Sequence, residues 1–180
     1  MEKKTNGMSP KARLSWPNLF EPRLNELSGK VEYSCQLIID KDDPGLAKMK
    51  AAAEAASEKK WGAKPPQNLR SPFRDGDVEK PDSEDYAGKV FINLKSNQKP
   101  GVVDESVDPI IDSSDLMAGD WVRVTYNAYA YDMKGNKGVA FGLNNVQRVA
   151  KGDALQGSRA RAEDEFAALD EDEDPTKGLF

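Results

Sequence analysis

Apolar and polar residues alternate most cleanly over residues 30–40. Val31, Tyr33, Cys35, Leu37 and Ile39 fall on one face, and Lys30, Glu32, Ser34 and Gln36 on the other. A period of two marks a half-buried strand. Residues 89–95 repeat it, with Val90, Ile92 and Leu94 expected inward and Lys89, Phe91, Asn93 and Lys95 outward. Residues 121–131 do so again, where Val122, Val124, Tyr126, Ala128 and Ala130 make a core face. Residues 138–149 follow across Met133-Lys134-Gly135-Asn136-Lys137, a polar stretch whose Gly and Asn suit a turn. The two segments therefore predict a long hairpin. A further strand is expected around residues 11–16.

One segment departs from that period. Asp43-Pro44 offers an N-cap and a proline at the first helical position. The chain then runs in Ala, Lys, Glu and Met to Trp61, with Gly62 as a stop, which predicts a helix over residues 44–61. Residues 62–88 hold Pro65, Pro66, Pro72, Gly76, Pro81 and Gly88 and predict a long irregular insertion, of a length usually functional or disordered. The organisation expected is a flexible N-terminus over 1–9, a mainly β domain with one helix over 10–151, and a tail over 152–180.

Composition removes several mechanisms. The chain of 180 residues has no histidine and one cysteine, so there is no imidazole base, no His-ligated metal and no internal disulfide. Cys35 sits on the apolar face of its strand and reads as a small core residue. No run approaches the roughly 18 apolar residues of a membrane span, and the N-terminus lacks a signal peptide's apolar core. A soluble, cytoplasmic protein with no membrane contact is expected.

A formal net charge of −5 argues at first against a polyanionic partner, but the charge is unevenly spread. Residues 163–180 hold eight acids and one base, a net of −7, which leaves +2 on the other 162 residues. Residues 86–103 carry +3 and residues 121–151 carry +4, whereas 104–120 carry −6.

The strand over 121–131 then changes the picture. Its second face offers Trp121, Arg123, Thr125, Asn127, Tyr129 and Tyr131, where a solvent face would carry small and charged residues. Phe91 stands between Lys89 and Lys95 on the 89–95 strand, with Asn93 beside it and Lys99 just beyond; Lys134 and Lys137 flank the turn, and Arg148 lies on the returning strand. Flat rings interleaved with cations suit single-stranded nucleic acid: unpaired bases stack on aromatic side chains while Lys and Arg neutralise phosphates. The other reading packs these rings under a loop or across an oligomer interface, since aromatics favour strands for structural reasons alone. Metal and catalytic patterns fit poorly. Asp75-Gly76-Asp77-Val78-Glu79 starts like a calcium loop, but Lys80 and Tyr86 stand where an EF-hand needs Gly and Glu. A nuclease would have to use carboxylates around 75–85 or 104–115.

The segments Ala12–Pro22, Tyr33–Lys41 and Leu116–Val124 resemble bacteriophage single-stranded DNA-binding proteins. So does the run from Gly138 through Phe141, Gly142, Leu143, Asn144, Asn145 and Val146 to the acidic Glu163-Asp164-Glu165-Phe166. The resemblance, which includes the T7-like phage group, implies an OB-fold: a five-stranded Greek-key barrel holding single strands across its face. It implies a non-catalytic protein without cofactor or metal, coating single-stranded DNA in replication and recombination in the cytoplasm of the infected bacterial host. It also implies an acidic C-terminal tail that competes with DNA and recruits a polymerase, helicase or nuclease. Glu171, Asp172, Glu173, Asp174 and the terminal Phe180 match that tail; Ala162, Phe166 and Leu169 are spaced to share one face of a short helix. Oligomeric state stays open, a homodimer among the options. One departure is visible: the usual OB helix lies between the third and fourth strands, whereas the helix here follows what counts as the second.

Overall fold

The alternating segments become the walls of a barrel in the computed structural model, which describes residues 3–155 and 166–169. In chain order the elements are β1 (Asn6–Met8), β2 (Ala12–Asn25), β3 (Lys30–Asp40), α1 (Leu46–Trp61), β4 (Arg74–Asp75), α2 (Gly76–Glu79), β5 (Lys89–Ser96), β6 (Gly101–Val103), β7 (Trp121–Met133) and β8 (Asn136–Ala150). β2 pairs antiparallel with β3, and β3 with β5. β5 runs parallel to β8 over two residue pairs, Leu94–Phe141 and Lys95–Gly142. β8 pairs antiparallel with β7 along its whole length, and β7 returns to β2 at Val122–Ala12 and Trp121–Arg13. Those five strands close the Greek-key barrel that the resemblance implied, with no free edge in the ring.

Leu14, Leu37, Ile92, Leu94, Val124 and Phe141 fill the barrel, and α1 adds Leu46, Met49, Ala52, Ala53 and Ala56 to the same core. Cys35 is buried there, and burial pushes its thiol pKa up to about 12. α1 lies between the second and third barrel strands, as the sequence indicated. Between the third and fourth come β6 and a 3-10 turn at Ser113–Asp115, with Ile110 and Leu116 packed against the core.

Several boundaries differ from expectation, each for a physical reason. The helix starts at Leu46, because Asp43 closes a turn outside it: its Oδ1 accepts the Gly45 N–H at 2.7 Å and its carbonyl accepts the Leu46 N–H at 3.1 Å. Gly62 ends it at φ 72°. β2 continues to Asn25 because the register against β3 breaks between Ser15 and Asn18 and again between Asn18 and Arg23. Pro17 and Pro22 fall in those breaks, where the ladder does not need the N–H that proline lacks. The N-terminus is built into the sheet from Asn6: β1 pairs with β7, and the buried Ser9 accepts the Val124 N–H on Oγ at 2.9 Å. The turn shortens to Lys134-Gly135, with φ of 50° and 84°, as a two-residue hairpin requires.

The insertion over 62–88 is fastened to the barrel. Arg70 bridges to β8, donating its N–H to the Lys137 carbonyl at 2.9 Å and accepting from Val139 at 3.2 Å. Phe73 meets Phe141 edge-on at 5.6 Å, β4 pairs with β5, and Glu84–Tyr86 forms a 3-10 turn. Chain expected in the tail is also packed: Leu155 is buried with Ile38, Tyr86 and Phe91 in a small second cluster. Gly152 N–H donates to Asp120 Oδ1 at 3.1 Å, and the Arg13 guanidinium donates to the Asp153 carbonyl. Phe166 and Leu169 are exposed and 166–169 form no helix; Ala162 lies outside the described residues.

Candidate nucleic-acid interface

Alternation along β7 places its odd-numbered side chains outside the barrel as expected, but not as one platform. Trp121 and Tyr129 are eight residues apart, about 26 Å along an extended strand. At the first end Trp121 is half-buried, with Lys11 Nζ 4.7 Å and the Arg13 guanidinium 5.7 Å from its ring centroid. Arg123 is exposed and donates from Nε to Gln147 Oε1 at 2.7 Å. A cavity of about 500 Å³ opens here, lined by Lys11, Arg123, Gln147 and Arg148 among others.

Arg148 is a structural residue rather than a free phosphate ligand. Its guanidinium donates to both Glu105 oxygens, at 2.9 and 3.1 Å, and to the Asp115 carbonyl at 2.5 Å, and its side chain is only 14% exposed. The hydrogen bonds from Arg148 hold the Glu105 carboxyl below the usual carboxylate range. Lys89 is likewise bound to Asp40, and Lys137 lies 3.9 Å from Asp132. Among the described residues, Lys95, Lys99 and Lys134 are exposed and form no ion pair.

Phe91 is the clearest correction. It is 2% exposed, because its outward face is covered by Tyr86, Leu155 and the guanidinium of Arg74 at 5.4 Å. Both faces of β5 are dry at that point, so Phe91 has no ring surface left for a base.

Beyond Phe91 the outer wall opens. Ladder register aligns Asn18, Ser34, Lys95 and Gly142 in one row across β2, β3, β5 and β8, and Ser15, Gln36 and Asn93 in the next. The second row is wired together. Ser15 Oγ lies 3.2 Å from the Tyr86 hydroxyl, that hydroxyl donates to Gln36 Oε1 at 2.5 Å, and Gln36 Nε2 donates to Asn93 Oδ1 at 3.0 Å. At the β8 end, Tyr129 lies over Gly142, where a Cβ would stand 3.8 Å from its ring. Tyr129 is 42% exposed; partial burial first, then the Glu32 and Tyr131 charges, raise its hydroxyl pKa. Tyr131 is half-buried, its hydroxyl beside Gly138. A Cβ at Gly138 would meet that hydroxyl and the Arg70 carbonyl, each at 2.7 Å, so only glycine lets the insertion dock here.

The structure thus gathers Asn93, Lys95 and Tyr129 on one wall and leaves Tyr131, Lys134 and Lys137 at the adjoining hairpin end. Trp121 and Arg123 belong to the far end, and Lys99 lines a groove with Pro17, Asn18 and Ile111 that adjoins the β2 end of the first row. The sequence reading missed Trp16, which is 66% exposed in the register break between the two rows. The tail residues Glu171, Asp172, Glu173, Asp174 and Phe180 lie outside the described residues.

A family described as "Enterobacter phage Enc34, ssDNA-binding protein" matches residues 5–176. "Putative protein p50" of Acyrthosiphon pisum secondary endosymbiont phage 1 is 30% identical over 168 residues, covering 87% of this chain and 90% of that one. The fold is similar to that of the single-stranded DNA-binding protein from bacteriophage Enc34 in complex with ssDNA, with a TM-score of 0.73 and 22% identity over 85% of this chain and 90% of the other. It is also similar to gp2.5, a single-stranded DNA-binding protein encoded by bacteriophage T7, with a TM-score of 0.64 and 16% identity over 88% and 98% of the two chains.

Proposed function

This chain belongs to the family of the Enterobacter phage Enc34 single-stranded DNA-binding protein, and from that premise we propose that it holds single-stranded DNA on the outer wall of its barrel with little sequence preference. It does so in phage replication and recombination, inside the infected host cell. The observation that carries the reading is the row ending in Lys95 and Gly142, with Tyr129 lying over Gly142. An ammonium with no carboxylate partner among the described residues and a half-exposed ring flank the same position of the wall. Stacking accepts every base because each has a π face, and the ammonium meets the backbone whatever the sequence. Neither step makes or breaks a covalent bond, so the protein acts as a binder and not as an enzyme.

The acidic tail is part of the same proposal. Glu171, Asp172, Glu173 and Asp174 supply an internal polyanion that competes for the cationic wall, and Phe180 offers an apolar tip to a replication protein. Salt titration of binding to single-stranded and duplex oligonucleotides tests the central reading. Tighter binding of the single strand is expected, with log affinity falling linearly in log salt at about 0.7 per phosphate contacted. Equal affinity for duplex, or affinity independent of salt, would refute it.

A further inference from the structure

Trp16 stands where the backbone would favour glycine. Between the pairs Ser15–Gln36 and Asn18–Ser34, β2 spends two residues, Trp16 and Pro17, against the single Cys35 of β3. This is a bulge, a device that re-aims a side chain, and where a bulge residue takes positive φ it is ordinarily glycine. Trp16 instead carries φ of 45°, a genuine outlier for a bulky side chain. The indole gains little burial in return, being 66% exposed. Strain with so little packing to offset it points to a residue kept for what it touches outside the fold.

Its surroundings specify what that is. The bulge is held from both sides: Asn18 donates to the Trp16 carbonyl at 3.3 Å and to Ser34 Oγ at 3.3 Å, and Ser15 is joined to the Tyr86–Gln36 chain. The row beginning at Asn18 leads through Ser34 to Lys95 and Gly142, where Tyr129 lies. Resting on the single-stranded DNA reading above, we infer that Trp16 is a base-stacking residue. The nucleic acid then crosses the strands from Trp16 over Lys95 to Tyr129, and does not follow β7 to Trp121.

The three tryptophans, Trp16, Trp61 and Trp121, give the test. In full-length protein with Trp61→Phe and Trp121→Phe, oligo-dT should quench the remaining Trp16 emission. With Trp16→Phe and Trp61→Phe, emission from Trp121 should hold. Trp16→Gly should weaken oligo-dT binding by about tenfold while raising Tm by about 2–4 °C through relief of the positive φ. Trp16→Phe should restore most of the affinity. Unquenched Trp16 together with wild-type affinity in Trp16→Gly overturns the inference alone. A fall of Tm and affinity together in Trp16→Gly makes the residue structural and overturns it too. Wild-type protein that does not bind oligo-dT overturns the function on which it rests.

Discussion

The Tyr86 hydroxyl donates to Gln36 Oε1 at 2.5 Å, so the far end of the insertion is bonded to the barrel wall one residue from the Trp16 bulge. Gln36 and Tyr86 are both buried, which makes the pair expensive to break. Replacing Tyr86 with Phe keeps the edge-on contact with Phe91 at 5.3 Å and removes only the oxygen. The Gln36 carbonyl is then left without its donor, and stability should fall by about 1–3 kcal/mol. Urea unfolding should show a lower midpoint at unchanged slope.

Stability at acid pH should depend on Glu105. Arg148 depresses the folded carboxyl below its ordinary value, so the unfolded chain takes up a proton first. The contribution is therefore full above about pH 4.3, the ordinary glutamate value, and is lost as pH falls through the lower folded value. Glu105→Gln should flatten this part of a Tm-against-pH curve. Arg148→Ala should lower Tm while leaving the salt dependence of DNA binding unchanged, because Arg148 is already committed to Glu105 and the Asp115 carbonyl.

Lys95 and Tyr129 should separate charge from stacking. Lys95→Ala should reduce the slope of log affinity against log salt by about 0.7, one phosphate's share. Tyr129→Ala should leave the slope alone and weaken binding by about tenfold at every salt concentration. Phe91→Ala, by contrast, should act on Tm, since its ring is buried between β5 and the insertion.

Deleting residues 163–180 removes a net charge of −7 and should tighten oligo-dT binding, most at low salt where screening is weakest. Identical affinities for the truncated and full-length chains at low salt would refute the competing tail.

The β7–β8 hairpin and α1 were legible because their signals are local: strict alternation on both sides of a Gly-containing turn, and a helix-forming run ended by Gly62. The second half of β2 was hidden by Pro17 and Pro22, which stop a ladder in sequence logic but occupy its irregularities in the fold. Alternation separated the two faces of β5 without showing which is wet. Phe91 is dry because Tyr86 and Leu155 come from other parts of the chain. Lys89 and Arg148 looked free for the same reason, their partners Asp40 and Glu105 being distant in sequence. Trp16 was invisible because the sign of φ at a bulge is not written in residue type.

The parallel contact between β5 and β8 is only two residue pairs long, while β7 and β8 are laced from end to end. Such a ring resembles a clasp with two short catches, one where β7 meets β2 at Trp121–Arg13 and Val122–Ala12, the other at Lys95 and Gly142. DNA laid from β5 to β8 would bridge the second of these, acting as a staple across one of the two shortest seams of the ring. Occupancy and stiffness are then one property: the protein grips across a short seam of its own ring, and amide exchange at Leu94, Lys95 and Gly142 should slow most when the strand is bound, while exchange at the equally short β2–β7 seam should change less.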